Sequence, residues 1–190
     1  MTKKSASNAL RKIARLPPFD QQITLAALLS RLFREKGMDF ILVGGATVQF
    51  YTQGEYQTKD IDIILRGDTK EDIEEIMHSL DFKRTTNYRH FENPLFAFSV
   101  EFPPSPIQVG RRTITKVSLI KTPEGPLEII RIEDIIMDRI IAGVEWKDAR
   151  SIDQAKLIWR KNKDMIDLDY LTDFSKKEGY WKTLQKVIET

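Results

Sequence analysis

Hydrophobic positions along this chain switch between two periods, and the switches mark out its elements. Leu25, Ala26, Leu28, Leu29, Leu32 and Phe33 recur at helical spacing, which predicts a helix running from a cap at Asp20 to the glycine at 37. Phe40 to Val43 is a short apolar run and predicts a buried strand. Gly44-Gly45 breaks that run, and Ala46 to Tyr51 begins a second helix. Asp60 to Leu65 alternates, as a half-buried strand does. Thr69-Lys70-Glu71-Asp72 reads as a capping box, with Ile73, Ile76, Met77 and Leu80 forming one stripe behind it. Phe96 to Phe102 alternates again until the prolines from 103 to 106 stop it. Thr113 to Ile120 and Leu127 to Ile130 are weaker strands, joined by the turn-like Pro123-Glu124-Gly125-Pro126. From Arg131 the pattern is helical in four stretches, 131–144, 149–162, 168–177 and 180–188.

This order predicts an α+β core carrying a helical lobe. We divide the chain into an arm (1–18), a core (19–130) and a C-terminal helical lobe packed on the core (131–190). The arm is basic, carries no acid before Asp20 and ends at Pro17-Pro18. Its composition is that of a transit peptide, but it lacks the apolar stretch of a secretory signal. The expectation is a flexible arm or a short amphipathic helix on a cytoplasmic protein. No apolar run approaches the roughly 18 residues of a membrane span.

Composition narrows the chemistry. A chain of 190 residues supports one well-packed core. With no cysteine there is no disulfide, thiolate zinc site or cysteine nucleophile. With only His78 and His90, a histidine-rich metal site is excluded. Any metal would be held by carboxylates, which favours Mg2+ or Mn2+. A net charge of +2 does not argue for nucleic-acid binding. The basic groups Arg111, Arg112, Lys116, Lys121 and Lys176, Lys177, Lys182, Lys186 read as solvated faces.

Three features carry candidate chemistry. Val43-Gly44-Gly45-Ala46 lies between a strand and a helix, where backbone can approach a ligand and free N–H groups meet the positive end of a dipole. It also reads as a simple tight turn. Asp60 and Asp62, two apart on a strand, project side by side while Ile61, Ile63 and Leu65 go to the core. They are either metal ligands or acids pointing into water. Glu101 shares the polar face of its strand with Ala97 and Ser99, and becomes a third ligand if that strand neighbours the Asp60 strand.

A glycine turn, then Asp-x-Asp on the next strand, then a lone acid on a later strand resembles the nucleotidyltransferase superfamily. The wording is similar to small prokaryotic proteins near the AbiEii-type toxins. Its matching stretches are Leu42-Val43-Gly44-Gly45-Ala46, Thr58-Lys59-Asp60-Ile61-Asp62, Val100-Glu101-Phe102-Pro103-Pro104, Ile132-Glu133-Asp134-Ile135-Ile136, Asp138-Arg139, Trp146-Lys147-Asp148 and Gln154-Ala155. The resemblance implies a mixed sheet flanked by helices. It also implies an NTP substrate whose phosphates meet Gly44 and Gly45, with Thr47, Thr58, Arg139 and Lys147 as further nucleotide contacts. Asp60, Asp62 and Glu101 would be the catalytic acids and hold two metal ions, Mg2+ or Mn2+. Two departures stand out. Gly45 and Ala46 occupy places where many active members carry serine, and Arg139 stands where the toxin branch usually has lysine.

Arg139 has separate support, because it falls on the apolar stripe of Ile132, Ile135, Ile136 and Gly143. A guanidinium there must snorkel, pair with an acid or clamp a phosphate. Asp148 reads as an N-cap, Trp146, Trp159 and Trp181 as packing residues, and His90, beside Arg89 on a polar loop, as a surface histidine or else a catalytic accessory. The expected activity is transfer of an NMP from an NTP to a hydroxyl acceptor: an RNA end, a protein or a small molecule. The alternatives are a catalytically degenerate nucleotide-binding module, or a toxin component with a small antitoxin partner.

Overall fold

The computed structural model describes residues 3–67, 70–87 and 89–189. Helix α1 (Lys3–Ile13) buries Ala6, Leu10 and Ile13, one stripe of an otherwise polar helix. Helix α2 (Pro18–Glu35) starts two residues before Asp20, because the fixed φ of Pro18 suits a first helical position. It ends in a Schellman motif at Gly37, φ +79°, with Gly37 N–H donating to the Arg34 carbonyl and Met38 N–H to that of Phe33. Strand β1 (Asp39–Val43) runs straight into α3 (Gly44–Tyr51). Strand β2 (Asp60–Arg66) and α4 (Lys70–Ser79) follow. Thr69, the expected cap of α4, lies outside the described residues.

Next come five short strands: β3 (Lys83–Arg84), β4 (His90–Glu92), β5 (Ser99–Glu101), β6 (Gln108–Val109) and β7 (Arg112–Thr113). The hairpin β8 (Val117–Thr122) and β9 (Gly125–Ile130) completes the sheet. Phe96 to Phe98 are not strand, contrary to the alternation there. Asn93 holds them in a turn: its Oδ1 accepts from Leu95 N–H at 3.0 Å, its carbonyl accepts from Phe96 N–H at 3.0 Å, and its Nδ2 donates to the Leu80 carbonyl at 3.1 Å. The two phenylalanines are buried all the same, Phe96 stacking on Phe82 at 6.1 Å.

Seven strands form one mixed sheet in the order β3-β4-β5-β2-β1-β9-β8. The β2–β5 and β1–β9 pairs are parallel and the others antiparallel. Strands β6 and β7 make a separate hairpin. Helices α5 (Ile132–Glu145), α6 (Ala149–Asn162), α7 (Leu168–Glu178) and α8 (Trp181–Ile188) form the C-terminal third, with a 3-10 turn at Lys163–Met165. Asp148 caps α6 by accepting from Arg150 N–H at 3.1 Å. Trp159 packs, its indole N–H donating to the Ile188 carbonyl at 3.1 Å, but Trp146 is 79% exposed.

Two contacts tie these helices to the sheet and to α3. The buried acid Asp134 accepts from Arg131 Nε at 3.0 Å and from Tyr170 OH at 2.6 Å, joining the end of β9 to α5 and α7. Tyr51, the last residue of α3, donates its hydroxyl to the Ile130 carbonyl at 2.9 Å. Its own carbonyl accepts from Asn162 Nδ2, also at 2.9 Å. No helix among the described residues is long and apolar enough to cross a membrane.

Candidate active site

Register places the site. In the antiparallel β1–β2 pair, Val43 faces Asp62, so the turn that follows Val43 falls directly beside that carboxylate. Gly44 has φ +63°, and a Cβ built on it would lie 2.7 Å from Asp62 Cγ and closer still to Oδ2. Only glycine leaves that space open. Gly45 N–H, at the start of α3, donates to Asp62 Oδ2 at 3.3 Å.

The parallel β2–β5 pair sets Asp60 beside Ser99 and Asp62 beside Glu101. Residues paired across a ladder share a face, so the two aspartates, Ser99 and Glu101 stand together. Ser99 Oγ donates to Asp60 Oδ1 at 2.6 Å. The entry to β2 is fixed from behind by two buried glutamines. Gln49 Oε1 accepts from Thr58 N–H at 3.0 Å, and Gln22 Nε2 donates to the Thr58 carbonyl at 2.9 Å. Thr58 Oγ1 in turn accepts from Asp60 N–H at 3.3 Å.

Asp62 is pushed up to about 6 from an ordinary 3.8, chiefly because burial disfavours its charge. The neighbouring Glu101 and Asp60 push it the same way, while Gly45 N–H and the Arg139 guanidinium pull it down. Arg139 thus lies within electrostatic reach of the carboxylates. It is held by its neighbour Asp138, which accepts from Nε at 2.8 Å and also from Nη2, and by Gln154 Oε1 at 3.4 Å from Nη1.

The structure therefore brings together Gly44, Gly45, Thr58, Asp60, Asp62 and Glu101, with Arg139 nearby. Thr47 and Lys147 do not join them. Thr47 is wholly buried inside α3, and its hydroxyl has no hydrogen-bond partner among the described residues. Lys147 is exposed in the α5–α6 turn at φ +54°, and no bond among the described residues ties it to the carboxylates.

One residue was placed wrongly from sequence. His90 is not on a polar loop but on β4, opposite Glu101 in the antiparallel β4–β5 pair. Its Nδ1 is 3.7 Å from Glu101 Oε1. The signal for it, His90-Phe91-Glu92 with Phe91 pointing inward, is one alternation long and too short to read as a strand. The supporting glutamines gave no sequence signal of their role, and for Ser99 only the face it shares with Glu101 was legible.

The whole chain resembles solved proteins of one architecture. An antigenic nucleotidyltransferase-like protein from Paracoccidioides brasiliensis superposes with a TM-score of 0.57 at 12% identity, over 96% of this chain and 93% of that one. This chain has the nucleotidyltransferase fold. The antibiotic-resistance factor ANT(2'')-Ia, whose solution structure shows substrate-regulated conformation dynamics, gives a TM-score of 0.53 at 15% identity. That likeness covers 90% of this chain and 99% of the other. No family model and no curated protein matches the chain. At such identities the nucleotidyltransferase likeness speaks for the fold, and it does not reach the AbiEii-type branch.

Proposed function

We propose that the protein is a metal-dependent nucleotidyltransferase that moves an NMP from an NTP to a hydroxyl acceptor. The observation that carries this reading is the register: Asp60, Asp62 and Glu101 share one sheet face beside the glycine turn of α3. The donor set suits Mg2+ or Mn2+, because three carboxylates offer only oxygen and their mutual repulsion is relieved by a divalent cation. Asp60, Asp62 and Glu101 would hold the metal, which when bound polarises the phosphoryl oxygens and activates the attacking hydroxyl.

The chain's own groups supply the rest. Backbone N–H groups at the start of α3 face the phosphates. Thr58 Oγ1 lies 2.6 Å from where a Cβ on Gly45 would be, so its hydroxyl fills the space a serine at 45 would take. Arg139 offers a guanidinium for the triphosphate by exchanging Asp138 and Gln154 for phosphate oxygens. Glu101, across β2 from Gly44, would accept the acceptor's proton.

One observation favours a second reading, an NTP-binding module without transfer. Ala46 and Thr47 are buried, so the turn itself shows no hydroxyl at the surface. An antitoxin partner and an RNA or protein acceptor belong to this proposal rather than to the fold.

Thermal shift with each NTP, with and without Mg2+, paired with labelled-NTP transfer tests both readings. A ligand at a hundred times its Kd should stabilise by about 2.7 kcal/mol, a rise of roughly 5–10 °C for a domain of this size. Asp60→Asn should lower transfer at least about a hundredfold. A metal-dependent shift without product favours the binding module. Transfer unchanged in Asp60→Asn sinks the site assignment.

A further inference from the structure

The described acids do not stand alone. One ligand atom each from Asp60, His90 and Glu101 falls within 4.8 Å of the others, a spacing that fits around a single cation. Asp62 is not in that group; its carboxylate is turned to the Gly45 N–H on the opposite side of Asp60. The imidazole is aimed rather than free to wander. Its cross-strand pairing with Glu101 sets its face, and Nδ1 approaches Glu101 Oε1 at 3.7 Å. Its Nε2 is buried with no hydrogen-bond partner among the described residues, and Glu92 Oε1 is 3.8 Å away, two residues along the same strand.

Asp60 and His90 also line one cleft of about 770 Å³, with Ser99, Lys59, Arg84 and Thr85. That cleft is lined from β3, β4 and the segment before β5, and Gly44 is not among its lining residues.

We propose that His90 is a metal ligand through Nδ1, forming with Asp60 and Glu101 a mixed nitrogen–oxygen site that favours Mn2+ over Mg2+. An all-carboxylate site suits a hard cation, and one imidazole shifts preference toward the borderline transition metals. The inference rests on the nucleotidyl-transfer reading of this site and adds a nitrogen ligand to its metal. It stands on metal binding, whether or not transfer occurs.

The test is pulsed electron paramagnetic resonance of Mn2+ bound to the untagged protein, without nucleotide, together with Mn2+ and Mg2+ titrations. The expected spectrum carries nitrogen modulation, which changes frequency when histidine is labelled with 15N. His78→Gln, on the exposed face of α4, should keep the modulation, and His90→Gln should lose it. His90→Gln should also weaken Mn2+ binding about tenfold or more, and Mg2+ binding less than about twofold. Bound Mn2+ without nitrogen modulation in the natural protein overturns the proposal and leaves the nucleotidyl-transfer reading intact. So does a modulation that survives His90→Gln. No Mn2+ binding at all also overturns it, while labelled transfer separately decides the fate of the broader reading. The labelled natural protein gives the answer even if His90→Gln fails to fold.

Discussion

Replacing Asp62 with asparagine should stabilise the metal-free protein at pH 8 while weakening its use of a metal. The carboxyl is pushed up to about 6 in the fold from an ordinary 3.8. Between those values the unfolded chain has released a proton that the folded chain still holds, so stability falls as pH rises through that window. Above pH 6 the whole cost of ionising a buried group is present; below pH 4 both states are protonated and it is absent. Two units correspond to about 3 kcal/mol. The side chain is only half-buried, so we expect about 1–2 kcal/mol, or roughly 3–8 °C in Tm. Asparagine keeps an oxygen for Gly45 N–H and carries no charge. Melting curves of Asp62→Asn against the natural protein at pH 4 and pH 8, without metal, check this. A gain at pH 8 that disappears at pH 4 is the expected pattern. Equal stability at pH 8 would mean that burial is not what raises this carboxyl. Saturating Mg2+ should narrow or reverse the order, because the natural protein offers the cation one more carboxylate.

Gly44→Ala should be the most damaging small substitution in the site. Two costs add: an alanine at φ +63°, about 1–2 kcal/mol, and a Cβ driven into the Asp62 carboxylate. The side chain of Asp62 must swing away and release Gly45 N–H, so a total of roughly 2–4 kcal/mol is expected, with loss of NTP binding. Gly37→Ala separates the two terms. Gly37 has φ +79° and nothing within 4 Å of a built Cβ, so it reports the backbone cost alone. Chemical denaturation of both variants is the measurement. If Gly44→Ala cost no more than Gly37→Ala, the close approach of turn and carboxylate would not be real.

The parts legible in the sequence were those where one element alone carries the pattern. The lobe helices read cleanly because each keeps an apolar stripe for several turns, and β2 because isoleucine and aspartate alternate through it. Glu101 was legible only conditionally. Its face followed from the alternation at 98–102, but its neighbour strand did not. His90 was lost for a related reason: β4 has three residues and owes its existence to pairing with β5. Phe96 and Phe98 misled because burial at alternate positions is satisfied equally by a turn that Asn93 ties down. Thr47 showed a hydroxyl at the right spacing, but its depth is set by tertiary packing, which leaves it wholly buried. Arg139 was visible as a charge on an apolar stripe, and its Asp138 partner is one of the outcomes that such a position allows.

The two bonds at Tyr51 have a mechanical consequence. That residue is the far end of the same eight-residue helix whose first residue is Gly44. It is pinned both to the last residue of β9 and to the end of α6. Helix α3 is therefore tied at its far end, so a shift of its glycine tip along the helix axis breaks these bonds or takes the end of α6 with it. The C-terminal helices and the backbone beside Asp62 are thus joined through one short rod.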